Sequence, residues 1–159
     1  MTKALLALHV IAAILAVGPV AVAASMFPAA ARRAATDAGH GTQTRQTQQT
    51  QQTQLTVLHR ICNVYAVIAV AVPIFGFATA ASLHVLGSAW LIASMALTAA
   101  AAFLLAAVIL PAQQRTLAAP AEGDRALRAR LAASTGVFNL LWATVTVLMI
   151  LRPGSTTGV

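Results

Sequence analysis

The chain has 159 residues, 59% hydrophobic and only 8% charged, with a formal net charge of +7. A water-soluble domain carries roughly 25% charged residues, so a fold solvated by water on all sides is excluded. The positive balance does not point to nucleic acid, because the basic residues flank apolar segments, where anionic lipid headgroups lie, instead of forming a stripe with interleaved aromatics.

Residues 4–27 form the first segment without Asp, Glu, Lys or Arg. A spanning helix needs about 20 predominantly apolar residues, so this stretch can cross a bilayer alone. It ends in a small-residue motif, Ala21-Val22-Ala23, that a signal peptidase can cleave. It is nevertheless longer than the roughly 7–15 apolar residues of a signal peptide, and an uncleaved first span is expected. Gly18-Pro19 should bend it, and Phe27-Pro28 should end it.

Residues 29–56 read as a polar connection. Its first part holds Arg32, Arg33, Asp37 and His40, with His40 expected to be solvated. Its second part repeats Thr-Gln-Gln at Thr47 and Thr50 and starts it again at Thr53-Gln54. Such a tract cannot form a core of its own, although glutamine is compatible with helix. It is therefore either mobile or a prolongation of the second helix into solvent.

The second uncharged segment covers residues 61–83 and contains Pro73 and Gly76. A proline removes one backbone bond and bends the helix, which neighbouring helices tolerate in a membrane. Two bent helices leave room for a local cavity, or simply for closer packing. Only a few residues around His84 and Gly87 separate this segment from the third, residues 85–110, so the two form a tight hairpin. Pro111 ends the third span. A partly helical polar connection follows, with Arg115, Glu122, Asp124, Arg125, Arg128 and Arg130. The fourth segment, residues 131–151, stops at Arg152-Pro153-Gly154, and residues 155–159 form an uncharged tail.

These segments predict an all-α, antiparallel four-helix transmembrane bundle in one domain. Continuous apolarity excludes the alternation of a transmembrane barrel. Arg32, Arg33, Arg45, Arg60, Arg115, Arg125, Arg128 and Arg130 fall on one side, against Lys3 and Arg152 on the other. Basic flanks stay cytoplasmic, which predicts a bacterial inner-membrane protein with both termini outside.

Lipid gives little hydrophobic drive for helix association, so small residues and interhelical hydrogen bonds must contribute. Ala12 and Ala16, Gly76 and Ala80, and Ala89 and Ala93 are small pairs at i, i+4 spacing. Thr135, Asn139, Trp142 and Thr146 make one polar stripe on the fourth helix, and His59 and Asn63 are four apart on the second. An amide facing lipid is expensive, so Asn63 and Asn139 are both expected to face inward at similar depth. With His59 they would form either structural hydrogen bonds or a polar pocket for a headgroup or small ligand.

His9 lies inside the first span, where ionisable groups are often functional. With His84 it offers two imidazoles near one membrane face, enough for the axial ligands of a haem b. The alternative is a hydrogen-bonded interior His9 and an interfacial His84. His59 beside Arg60 is expected at the membrane border. The only cysteine, Cys62, excludes an intrachain disulfide. No Cys pair, HExxH, GxSxG, P-loop or dinucleotide fingerprint is present, and no carboxylate sits in a span, so an acidic proton relay is excluded.

Leu8-His9-Val10, Gly18-Pro19, Leu58-His59-Arg60-Ile61-Cys62 and Trp90-Leu91 resemble a family of small bacterial integral membrane proteins known only as a domain of unknown function. The resemblance covers most of the chain and implies four spans, with no activity attached. A more distant one, through a histidine early in the first span, is to copper-resistance-D type membrane domains and the membrane-bound protoporphyrinogen oxidases. The oxidases add a lysine in a later helix, which this chain lacks, and Met26, Cys62, Met95 and Met149 form no soft-ligand cluster in sequence.

The expected function is that of a non-catalytic accessory, scaffold or lipid-associated membrane protein. Its expected partners are membrane lipids and either copies of itself or another membrane protein. The alternatives are a haem-binding redox protein using His9 and His84, and a ligand-binding or transport protein using His59, Asn63 and Asn139.

Overall fold

Four antiparallel helical stretches, Lys3–Ala38, Arg45–Ser82, Ala89–Ala118 and Arg125–Leu151, are each long and apolar enough to cross a membrane. The computed structural model describes residues 2–39, 44–118 and 125–154, and contains no strand among them. His40, Glu122, Asp124 and the tail at 155–159 lie outside the described residues. The protein is an all-α, multi-pass bundle.

Helix α1 (Thr2–Gly39) runs through both Pro19 and Pro28, so the stop expected at Phe27-Pro28 does not occur. Proline forfeits one hydrogen bond and strains one turn. Tertiary packing outweighs that here: Phe27, Ala30, Ala31 and Ala34 are all buried on one side of the helix. Their neighbour is α2 (Arg45–Ile68), which starts inside the Thr-Gln-Gln tract. Thr44 caps α2 in extended conformation, its hydroxyl oxygen accepting from the Thr47 N–H at 3.3 Å.

The tract is therefore helical, and it is tied down. The Gln51 amide donates to the Asp37 carboxylate at 2.6 Å, and Gln52 donates to the Leu117 carbonyl at 3.3 Å. Leu55, Leu58 and Cys62 form the buried face of α2.

The second stretch breaks at Ala69–Val70, before α3 (Ala71–Ser82). Pro73 has no N–H for the Ala69 carbonyl, which instead accepts from Val72 N at 3.0 Å. At the far end of α3 the chain turns by a motif that satisfies two orphan carbonyls. Val85 N donates to Ala80 O and His84 N to Ala81 O, both at 3.2 Å. This is a Schellman stop, which needs a left-handed residue at its C′ position, and His84 takes that position with φ 56°. Helix α4 (Ala89–Phe103) follows. Ala80, Trp90 and Leu91 pack together at this hairpin end, with Val85 and Met149 against them.

Beyond α4 lies a π-helical turn, Leu104–Ile109, and then α5 (Leu110–Ala118). Pro111 does not end the third stretch: it follows the π turn directly, inside one continuous helix from Ala89 to Ala118. Helix α6 (Arg125–Leu151) stops as expected, with Arg152 at φ 42° and Gly154 at φ 80°.

The core is densest toward the end of the bundle that carries most arginines. Val20, Ala24, Phe27, Leu55, Cys62, Ala101, Leu105, Ile109, Leu131 and Phe138 form one buried cluster there. Of the small pairs, Ala16 and Ala80 are buried, whereas Ala89 and Ala93 are exposed, so the third pair makes no close approach within this chain.

Candidate functional site

Interhelical hydrogen bonds within the bundle gather at three separate places, whereas the buried Thr79 and Ser94 bond carbonyls of their own helices. The first is the kink of α2–α3. The His9 ring packs on Gly76, where an added Cβ would stand 2.9 Å from Cε1 and 3.1 Å from Nδ1. The absent side chain uncovers the Val72 carbonyl, whose oxygen lies 2.9 Å from His9 Nδ1. A carbonyl only accepts, so Nδ1 carries a proton and donates it to Val72. The space that a bend at Pro73 opens beside Gly76 is filled by an imidazole, where an empty cavity was one expectation.

His84 stands elsewhere. It is exposed at the hairpin, eight residues beyond Gly76, or about 12 Å further along a helix axis. Axial ligands of one iron must face each other across it. A half-buried ring packed on Gly76 and an exposed ring in a helix stop do not, so these two histidines do not fit a haem clamp. Among the described residues no group of three or more His, Cys, Asp or Glu is placed to hold a metal ion.

The second place joins α2 to α5. His59 Nδ1 lies 3.0 Å from Gln113 Oε1, and Gln113 Nε2 donates to Cys62 Sγ at 3.6 Å. Gln113 and Cys62 are fully buried, and His59 is half-buried. With its amide nitrogen turned to the thiol, Gln113 accepts through Oε1 from the His59 Nδ1–H.

Sequence reasoning missed Gln113, which lies past the proline expected to end the span. The π turn places it. Ala101, Leu105, Ile109 and Gln113 are all buried and four apart. In an α-helix such a row drifts by about 40° per step. The wider i→i+5 turn keeps it on one face.

The third place is the α1–α6 seam. Asn139 Nδ2 donates to Ser25 Oγ at 2.9 Å, and that hydroxyl donates to the Ala21 carbonyl at 2.7 Å. Asn139 Oδ1 and Trp142 Nε1, one helical turn apart, are shielded and have no partner. Trp142 meets Phe138 edge-on with ring centroids 6.3 Å apart. Thr135 is buried and returns its hydroxyl to the Leu131 carbonyl at 2.9 Å, while Thr146 bonds the Trp142 carbonyl at 2.9 Å.

His59, Asn63 and Asn139 therefore do not share a pocket, and Asn63 does not face inward. It is exposed. The buried face of α2 runs through Leu55, Leu58 and Cys62, and the next residue is turned about 100° away from it. The amide that sequence spacing paired with Asn63 is bonded to Ser25 on α1 instead. Comparison with known family models, curated proteins and solved structures finds no match to this chain.

Proposed function

We propose that this chain is a non-catalytic scaffold or accessory subunit of the bacterial inner membrane, working through side-by-side association with lipid, with copies of itself or with a partner membrane protein. The observation that carries this reading is the apolar surface left uncovered, since the polar groups of the interior bond one another, Asn139 Oδ1 and Trp142 Nε1 excepted. His9 is bonded to Val72, His59 to Gln113, Gln113 to Cys62 and Asn139 to Ser25. What remains on offer is surface. Large apolar side chains stand exposed on every stretch, among them Ile14, Val67, Ile92 and Leu140.

The shape of the helices supports the same reading. Helix α1 has 38 residues, about 57 Å at a rise of about 1.5 Å per residue, against a hydrocarbon core of about 30 Å. Paired with the start of α2, it carries a helical layer beyond the apolar spans, rich in arginine, threonine and glutamine. In this reading that layer faces the cytoplasm and both termini face outward, following the arginine asymmetry. Burial there is driven by water, and a side chain such as Leu55, 1% exposed, contributes roughly 1.5–3 kcal/mol.

The test is the protein's mass in lipid. Native mass spectrometry from nanodiscs, with material expressed under ample haem, is expected to show a dimer or larger assembly, or a co-purified membrane protein, without a Soret band. A monomer that retains neither lipid nor a partner at every protein-to-lipid ratio would overturn the proposal.

A further inference from the structure

We infer that this protein forms a homodimer through the outward face of its second stretch, with the Asn63 amides of two copies bonded to each other. The inference deepens the scaffold reading and rests on it.

Asn63 is the anomaly that starts the argument. It lies three residues inside the apolar part of α2, is exposed, and has no hydrogen-bond partner among the described residues. An amide turned toward hydrocarbon without a partner is strongly disfavoured. Its surroundings make the position more informative. Asn63, Val67, Val70, Ile74 and Phe77 are spaced alternately by four and three residues, and all are exposed. Val67 is 72% exposed, Val70 56%, Ile74 60% and Phe77 55%. Alternating spacings of three and four are those of a coiled-coil seam, in which β-branched side chains fit the holes of a parallel dimer and a single asparagine sets register.

The kink reinforces the seam. On a regular α-helix, a seven-residue repeat falls behind by about 20° per heptad. At Ala69–Val70 the backbone tightens to i→i+3 bonds, Val70 N to Val67 O at 3.2 Å and Val72 N to Ala69 O at 3.0 Å. Each residue of such a turn rotates the helix about 20° further than an α-helical residue does. That extra rotation offsets the lag and holds Asn63 and Phe77 on one line. The break that Pro73 causes thus straightens the exposed stripe while it bends the buried face around His9.

The occupant is a second copy because the stripe is complementary to itself. An amide is both donor and acceptor. Two copies inserted the same way run their second stretches in parallel and place both Asn63 side chains at one depth. A two-fold axis along the membrane normal then makes the interface isologous. Arg60 continues the stripe at the same end, where its long side chain reaches the headgroups and need not meet its counterpart. A lipid chain would cover Val67 and Ile74 equally well but offers nothing to the amide.

The experiment uses the full chain in vesicles, on a Cys62→Ser background. Under mild copper–phenanthroline oxidation, Val67→Cys is expected to form a disulfide dimer. Leu140→Cys, 68% exposed on α6, is expected to form none. Asn63→Leu should weaken dimerisation roughly 3- to 30-fold, and Asn63→Gln should retain it. Unfolding of the monomer, followed by tryptophan fluorescence, should be unchanged in both. A dimer that cross-links through Leu140→Cys but not Val67→Cys, or that is indifferent to Asn63→Leu, overturns this interface and leaves the scaffold reading standing. A wild-type chain that is monomeric and retains neither lipid nor a partner at all dilutions overturns both.

Discussion

Gly76 lies so close beneath the His9 imidazole that a Cβ on it would stand 2.9 Å from Cε1. The same ring reaches the Val72 carbonyl at 2.9 Å, so α1 and α3 are joined where Pro73 has loosened the helix. Gly76→Ala is therefore expected to destabilise the bundle by about 1–3 kcal/mol through overpacking. His9→Ala should remove most of that penalty, giving a coupling of about 0.5–3 kcal/mol. A double-mutant cycle followed by the fluorescence of Trp90 and Trp142 during SDS titration measures it. An equal cost for Gly76→Ala with and without His9 would show that this contact does not hold the kink.

Gln113 is fully buried between His59 and Cys62. Gln113→Leu conserves much of the volume but leaves the imidazole N–H without its acceptor, a penalty of about 1–3 kcal/mol. Gln114, its exposed neighbour, is the control: Gln114→Leu should change stability by less than about 0.5 kcal/mol. Both are read by the same SDS titration.

The α1–α6 seam should respond the other way. Asn139→Leu loses the bond to Ser25 but also removes the unpaired Oδ1, so its net effect should stay within about 1 kcal/mol. Trp142→Phe removes an N–H that has no partner but also part of an indole packed on the core, so its net effect should stay within about 1 kcal/mol. A loss above about 3 kcal/mol in Trp142→Phe would mean that the indole N–H is bonded to lipid or a partner.

His84 holds a left-handed backbone at φ 56° in the Schellman stop after α3. A non-glycine residue there is strained by about 1–2 kcal/mol. His84→Gly should raise the unfolding midpoint, the gain reduced by the greater freedom of glycine in the unfolded chain, and His84→Val should lower it. Paired thermal melts in detergent, monitored by circular dichroism, decide the point; identical midpoints for all three chains would contradict a backbone role.

The class of this molecule was legible in residues 4–27, 61–83, 85–110 and 131–151 before any fold was seen, because a bilayer forbids charge over that length whatever the tertiary arrangement. The hairpin around His84 and the stop at Arg152-Pro153-Gly154 were legible for a local reason, since turns and caps depend on a few adjacent residues. The proline stops at Pro28 and Pro111 misled, because one lost backbone bond is a local effect and a packed neighbour overrides it.

Which way each polar side chain faces was decided only by the tertiary structure. Asn63 and Asn139 look alike in sequence, yet one is exposed and the other is bonded to Ser25, more than a hundred residues away along the chain. Gln113 carries no sequence signal at all, since its burial follows from the π turn that precedes it. Apolar length is a property of the chain and its solvent. The direction of an amide is a property of the neighbour it finds, and in lipid, where leucine and acyl chains are equally apolar, periodicity alone cannot say which side of a helix is the inside.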